Sequence, residues 1–96
     1  MSEVAWETGY WYNGHLHYNV PYINGQQHGI AKWYHDNGLL YMEASYVNGR
    51  CHGVQRFYNE DGQLRSEIPW VNGEERNDLL GDEHKLLRLM LLGEQI

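Results

Sequence analysis

The stretch from residue 30 to residue 53, IAKWYHDNGLLYMEASYVNGRCHG, sets the pattern of the chain. It consists of a short aromatic run, an Asn-Gly pair, a longer alternating run and a second Asn-Gly pair that leads into His-Gly. The same plan occurs three times in succession with a period of 24 residues, at 6–29, 30–53 and 54–77. A fixed period of this length is typical of repeat architectures, in which each unit is one supersecondary element.

Several positions fix the phase of the repeats. The positions that recur are Tyr10, Tyr34 and Tyr58; Gly14, Gly38 and Gly62; Leu16, Leu40 and Leu64; and the Asn-Gly pairs at 24–25, 48–49 and 72–73. In the middle repeat, the pattern predicts a short strand over 30–34, a turn over 35–38, a long strand over 39–47 and a second reversal over 48–53. In the turn over 35–38 the Asn-Gly pair is expected to supply positive φ. At the second reversal, Gly49 and Gly53 allow the backbone to reach left-handed conformations. Each repeat is therefore predicted to be a β-hairpin.

The long strand alternates between apolar and mixed residues, which is typical of a half-buried strand. Leu40, Met42, Ala44 and Tyr46 are predicted to share the apolar face, with Tyr41 and Glu43 on the other. Pairing Tyr34 with Leu39, and Val47 with Val54, would keep this parity. The predicted fold is mainly β: an antiparallel meander of about six strands, built from three hairpin repeats. Gly9 should leave a gap on the apolar face, and Pro21 and Pro69 should lie at bulges or non-bonding positions.

The pattern changes after residue 77. Residues 78–96 read as a C-terminal helical cap, with an apolar stripe wider than a solvated helix would carry. The residues that form this stripe are Leu86, Leu87, Leu89 and Met90. The helix is expected either to cover the apolar sheet face or to form a dimer or partner contact. With this cap, residues 1–96 are predicted to form a single domain.

Composition limits the classes of function. The formal net charge of −6 argues against phosphate contacts and hence against direct nucleic-acid binding. Cys51 is the only cysteine, which excludes an intramolecular disulfide and fits a reducing, cytoplasmic location. The first residues show no secretory signal, and the longest apolar run, 89–92, is far shorter than a membrane span. A soluble protein without membrane association is expected.

No set of residues predicts catalysis, a metal site or a cofactor. Cys51 lies in a turn beside His52, which is not a nucleophile–base arrangement. His15 and His17 lack an evident third metal ligand. His28 and His52 recur beside glycines, and we expect them to lock the turns by hydrogen bonding to backbone carbonyls. The chain is therefore predicted not to be an enzyme.

Aromatic and acidic side chains are the best candidates for a partner-binding surface. The chain has four Trp and eight Tyr but one Phe, and such rings anchor protein interfaces. Trp11 and Tyr12 occupy turn positions that hold polar residues in the other repeats. The candidates are Tyr10, Trp11, Tyr12, Tyr34, Tyr41 and Tyr58, with Glu60, Asp61, Glu74 and Glu75 as acidic contributors. An acidic surface that mimics nucleic acid is a further form of this hypothesis.

The run KWYHDNGLLYMEASYVNGRCHG, followed by RFYNEDGQLRSEIPWVNG, resembles the bacterial MORN-repeat-variant family, many members of which are labelled YwqK-type antitoxins. The resemblance covers residues 6–77 and implies an elongated sheet of stacked hairpins. It also implies binding of a toxin, effector or defence protein rather than catalysis. Gly9, the Arg76-Asn77 pair and the leucine-rich tail depart from the family pattern.

These observations lead to two functional hypotheses. The first is a non-catalytic, antitoxin-like or phage-encoded inhibitor that occludes a bacterial effector or defence protein. The second is an assembly module that forms a homodimer through the C-terminal helix or through an edge strand.

Overall fold

The computed structural model describes residues 3–79. The described residues form nine strands and one short 3-10 helix, Asn77–Leu79. The six longer strands are β1 (Ala5–Tyr10), β2 (Leu16–Ile23), β4 (Gly29–Tyr34), β5 (Leu40–Val47), β7 (Gly53–Tyr58) and β8 (Leu64–Val71). The two-residue strands are β3 (Gln26–Gln27), β6 (Arg50–Cys51) and β9 (Glu74–Glu75).

All strands join one antiparallel sheet. The longer strands follow the order β1-β2-β4-β5-β7-β8, while β3, β6 and β9 pair with the ends of β2, β5 and β8. This confirms the mainly β class and the meander of hairpins. The predicted helix with Leu86, Leu87, Leu89 and Met90 lies outside the described residues.

Two kinds of turn join the strands. At the Asn-Gly turns both residues are left-handed, with φ of 50° at Asn48 and 84° at Gly49, so Val47 pairs at once with Arg50. This is the type I′ geometry that two-residue hairpins favour. In the other turn Gly38 has a φ of 92°, whereas Asn37 is not left-handed. The positive φ expected from the Asn37-Gly38 pair is therefore supplied by the glycine.

The observed register differs from the expected one in two places. Tyr34 pairs with Leu40 rather than Leu39, because a bulge lies between the Trp33–Met42 pair and this one. Between β5 and β7, Glu43 pairs with Arg56, so Val54 does not oppose Val47 as expected. The two-residue turn at Asn48-Gly49 pairs Val47 with Arg50 of β6, and the register of β7 against β5 is shifted by two residues as a result. A shift of two in this pairing keeps the paired side chains of β5 and β7 on their predicted faces.

The bulge also changes the position of Tyr41. Its ring lies 6.0 Å from the Phe57 ring, centroid to centroid, in an edge-to-face arrangement. Phe57 pairs with Met42 and therefore belongs to the apolar face. A bulge interrupts strict alternation, which is why the prediction of Tyr41 on the opposite face was wrong.

The apolar face has a narrow buried centre. Val20, Ala31 and Ala44 are buried there, and the larger residues Tyr18 and Trp33 flank this centre. We call this the core face. Its small central side chains suit a thin, single-layer sheet, because larger neighbours can close over them.

Gly9 does not leave the expected gap on the core face. A Cβ atom at this position would lie 2.3 Å from the Tyr18 ring, so the ring occupies the space above the glycine. The missing side chain in β1 is thus replaced by a neighbour from β2. The glycine allows this close approach of ring to backbone.

Pro21 and Pro69 lie inside strands and are buried. β2 pairs with β4 as far as Asn19 and with β3 from Tyr22 onward, so Pro21 falls in the interruption. Its carbonyl still accepts a hydrogen bond from the His28 amide at 3.0 Å. Pro21 therefore lies at a non-bonding position on this side of β2, as expected.

Candidate functional site

The longer turns, residues 11–14, 35–38 and 59–62, lie side by side where the strands of the sheet end. We call this end of the sheet the long-turn edge, as distinct from the outermost strand β1. The Asn13 side-chain amide donates to the Asp36 carbonyl at 2.6 Å, and Asn37 donates to the Glu60 carbonyl at 2.8 Å. The Asn37 side-chain oxygen also accepts the Leu39 amide at 2.9 Å, which closes its own turn. Each asparagine thus shapes one turn and joins it to the next repeat.

Trp11 strengthens the same edge. Its indole N–H donates to the Tyr34 carbonyl at 2.9 Å, and its ring stacks on His17 at a centroid distance of 3.7 Å. His35, one repeat later, places Nε2 3.0 Å from the Tyr58 carbonyl. Trp11 is half-buried. The structure therefore gives this predicted partner-binding residue a role in joining repeats.

The opposite edge carries the Asn-Gly turns, and we call it the Asn-Gly edge. The Asn48 amide donates to His28 Nδ1 at 3.3 Å, and the Asn72 amide donates to His52 Nδ1 at 3.1 Å. The expectation that these histidines bind backbone carbonyls was wrong for these contacts. Both imidazoles act here as acceptors, and each links its own repeat to the turn of the following one.

The third repeat lacks the side chains that make these links. Asp61 occupies the position of Asn13 and Asn37, and a carboxylate cannot donate a hydrogen bond. Its oxygen still accepts the Gln63 amide at 3.0 Å, so the turn itself is kept. Arg76 occupies the position of His28 and His52, cannot accept an N–H, and pairs with Asp78 at 2.8 Å.

The long-turn edge also presents an exposed aromatic and acidic surface. Tyr12 is 91% exposed, the highest value among the exposed large apolar and aromatic side chains of the described residues. Asp36, Glu60 and Asp61 are exposed along the stacked turns, and no Lys or Arg lies in those turns. Glu74 and Glu75 are also exposed, but β9 places them at the Asn-Gly edge. The structure thus separates the predicted acidic contributors into two groups.

The remaining tyrosine candidates have different surroundings. Tyr10 is 67% exposed on the edge strand β1. The Tyr58 hydroxyl donates to Glu43 at 3.1 Å, and burial and this carboxylate together raise the Tyr58 pKa. Tyr41 contacts the His35 and Phe57 rings. Tyr41 and Tyr58 therefore have internal partners, whereas Tyr10 and Tyr12 present their rings to solvent.

The face opposite the core carries a polar row across all six longer strands. Successive cross-strand pairs define its members as Thr8, Asn19, Lys32, Glu43, Arg56 and Glu67. We call this the polar face. Arg56 lies between two carboxylates, 2.9 Å from Glu67 and 3.8 Å from Glu43. Lys32 has no ion-pair partner within residues 3–79.

A depression of about 310 Å³ opens on the polar face beside Lys32. It is lined by Trp6, Asn19, Ile30, Lys32 and Tyr34. Of these, only Tyr34 was predicted as a partner-binding residue. The repeat alignment carries a signal for Asn19, which stands where the second and third repeats have Glu43 and Glu67.

Histidine and cysteine side chains are the groups of this sheet that metal binding or nucleophilic chemistry would use. No group of three His, Cys, Asp or Glu side chains between residues 3 and 79 could hold a metal ion. His15 Nδ1 lies 2.7 Å from the Asp36 carbonyl, which gives this ring a backbone partner. Burial raises the pKa of the Cys51 thiol to about 11, so the nucleophilic thiolate is scarce near neutral pH.

Comparison with known proteins gives a family similarity for the second and third repeats. Residues 27–48 and 52–72 match the family model described as MORN repeat variant. The chain therefore carries two segments similar to MORN-variant repeats. In the structure the first segment contains the β4–β5 hairpin and the second contains the β7–β8 hairpin. No curated protein and no solved structure matches the chain. Among the described residues, no helix has the length and apolar character needed to span a membrane.

Proposed function

We propose that the chain is a non-catalytic protein-binding inhibitor that occludes a functional surface of its target. In this proposal the target is a bacterial toxin, effector or defence protein in the cytoplasm, and the chain acts as an antitoxin, an immunity protein or a phage-encoded inhibitor. The long-turn edge forms the contact, with Tyr12 as its central anchor.

The observation that carries the proposal is the exposure of Tyr12 beside a row of carboxylates. A side chain that is 91% exposed contributes little to the fold. A rigid aromatic ring on a tight turn loses little conformational entropy on binding, which favours interface anchors of this kind. Asp36, Glu60 and Asp61 surround this edge with negative charge, which complements a basic target and accelerates encounter.

The turns that hold these side chains are fixed by the Asn13 and Asn37 links, at 2.6 and 2.8 Å. The surface is therefore organised before binding. Successive turns are separated by two strands, or about 10 Å, so three turns span roughly 20 Å of a target. This is wide enough to cover an active-site cleft or a nucleic-acid groove.

Affinity capture from a bacterial lysate, followed by an activity assay of each captured protein, tests the proposal. The test variant combines Tyr12→Ala, Glu60→Gln and Asp61→Asn, and Asp61→Asn retains the oxygen that closes the turn. The control is Glu74→Gln with Glu75→Gln at the opposite edge. We expect wild type and control to capture and inhibit a basic protein that the triple variant does not retain. Equal capture and inhibition by all three proteins would contradict the proposal.

The edge strand β1 supports the second function, a homodimeric assembly module. Five of its six residues are exposed, and within the described sheet β1 pairs only with β2. A strand with a free edge is a template for a strand from another chain. Sedimentation velocity over a wide concentration range tests this function, and a single monomeric species at the highest concentration would contradict it.

A further inference from the structure

The two positively charged residues in the row that crosses the polar face, Arg56 and Lys32, differ in how many carboxylates pair with them. Arg56 has a carboxylate on each side, at 2.9 Å in Glu67 and 3.8 Å in Glu43. Lys32 occupies the same position one repeat earlier, but its neighbour on β2 is the neutral Asn19. Its neighbour on β5 is Glu43, which is already bound by Arg56 and by the Tyr58 hydroxyl at 3.1 Å. The Lys32 ammonium group is thus left without an ion-pair partner among the described residues.

This uncompensated charge lies within an aromatic depression. Trp6, Ile30 and Tyr34 line it together with Lys32, and the space measures about 310 Å³. Trp6 and Ile30 are 55% and 54% exposed, so the walls offer apolar surface that no described residue covers. A lysine beside low-dielectric ring surfaces attracts an anion more strongly than one in open solvent. The Asn19 side chain adds hydrogen-bonding capacity at the same place.

We propose that this depression binds a peptide segment of a partner protein, through a carboxylate that pairs with Lys32 and an adjacent apolar side chain that packs on Trp6 and Ile30. The depression is too open to enclose a small molecule, because ligand pockets bury most of their ligand's surface. A peptide can lie across it and use further contacts on the sheet. The site prefers an acidic segment, whereas the long-turn edge is suited to a basic surface.

The distribution of charge supports the selectivity of this site for a carboxylate. The chain as a whole carries a net charge of −6, so an acidic segment is held only where local positive charge outweighs the general repulsion. Lys32 is the residue of the polar row that supplies such local charge, because Arg56 is neutralised by its two carboxylates. The site thus lies between the first and second repeats, whereas between the second and third repeats Glu43 occupies the position of Asn19 and faces Arg56.

Amide chemical-shift titration of the full chain tests the site, with two blocked peptides as probes. The probes are Ac-Gly-Leu-Glu-Phe-Gly-NH2 and its Gln analogue, each at up to about millimolar concentration. We expect the Glu peptide to shift the Trp6 indole and the Lys32 and Tyr34 amides, and to bind about tenfold more tightly than the Gln peptide, since a charge-assisted hydrogen bond is lost in the analogue. Lys32→Gln should remove this difference, whereas Arg50→Gln, a matched change of charge in the β6 turn, should preserve it.

A second variant keeps the test decisive if Lys32→Gln alters the fold. Asn19→Glu installs the residue that the other repeats carry at this position and should neutralise Lys32 within a sheet that already accepts it twice. We expect it to abolish peptide binding, while Gln63→Glu, which adds the same charge in an exposed turn, retains binding. Equal affinity for both peptides, absence of shifts at Trp6, Lys32 and Tyr34, or wild-type binding by Asn19→Glu would overturn the proposal. None of these outcomes bears on capture through Tyr12, so the two proposals fail independently.

Discussion

The long-turn edge and the Asn-Gly edge both join successive repeats, but they use different hydrogen-bonding groups to do so. At the long-turn edge, side chains donate to backbone carbonyls of the next repeat, as Asn37 does to Glu60 at 2.8 Å. At the Asn-Gly edge, side chains accept from backbone amides, as His52 does from Asn72 at 3.1 Å. Both edges therefore join repeats through the backbone of the following unit.

The difference shows where sequence can vary without loss of the fold. At the Asn-Gly edge, left-handed φ angles at Asn48 and Gly49 restrict the turn residues themselves. At the long-turn edge, the second turn position carries no such restriction on its side chain, and it holds Tyr12, Asp36 and Glu60 in the three repeats. A position that the fold does not restrict is the natural place for a binding function.

Replacement of two equivalent-looking asparagines by glycine should give the largest contrast between the edges. Asn37→Gly removes two hydrogen bonds and should lower the free energy of unfolding by about 1–2 kcal/mol. Asn48→Gly keeps the amide that binds His28 and relieves a left-handed residue, so its cost should be below about 0.5 kcal/mol. Urea denaturation of both variants checks this prediction. Equal costs would show that the edges do not differ as described.

A reciprocal exchange at the long-turn edge should have a smaller effect. Asn37→Asp retains the acceptor for Leu39 but loses the donor to Glu60 and should cost about 1 kcal/mol. Asp61→Asn adds a donor that has no following turn among the described residues to bind, and its effect should be close to zero. The measurement is again equilibrium unfolding. Similar losses in both variants would argue against a directional link from repeat to repeat.

At the Asn-Gly edge, loss of a histidine acceptor should be milder and local. His28→Leu leaves the Asn48 amide without its 3.3 Å acceptor and should cost about 0.5–1 kcal/mol, because the exposed amide can turn to water. Hydrogen exchange should accelerate at Asn48 while the Leu39 amide at the other edge keeps its protection. Acceleration at both amides would show that the edges are coupled.

The smallest effect concerns Cys51 in β6. Burial raises its pKa from 9.0 to about 11, so the folded state favours the neutral thiol. Stability should be unaffected below pH 8 and should fall as pH rises above 9, where the unfolded chain ionises first. Alkylation near pH 8 should be at least about tenfold slower than in urea, since the thiolate fraction sets the rate. Equal rates in both states would contradict a raised pKa of the Cys51 thiol in the folded protein.

The repeat period, the two turn positions and, apart from Tyr41, the residues of each face follow from the sequence, because all of them depend on local chemistry within one unit. The registers do not, since a bulge beside Tyr34 and the early return at Arg50 are decided by how neighbouring strands fit. The role of Trp11 was missed for the same reason, because its hydrogen-bond partner Tyr34 belongs to the next repeat.

The candidate surfaces were predicted in part. Tyr12 stood out because it breaks the repeat with an exposed ring. Lys32 did not, because its importance arises from what its neighbours do: Asn19 is neutral, and Glu43 is engaged by Arg56. The uncompensated charge of Lys32 becomes visible when the charges of cross-strand neighbours are compared between repeats.

The substitution of two of the linking side chains in the third repeat, at Asp61 and Arg76, has a consequence for self-association. Head-to-tail growth would require the third repeat of one copy to receive the first repeat of the next, with Asp61 and Arg76 in the linking positions. Asp61 has no proton to donate and Arg76 has no lone pair to offer, so such a joint lacks two of its side-chain links. Open-ended fibres are therefore disfavoured, while a two-fold pair of β1 strands, which closes on itself, is untouched by this restriction.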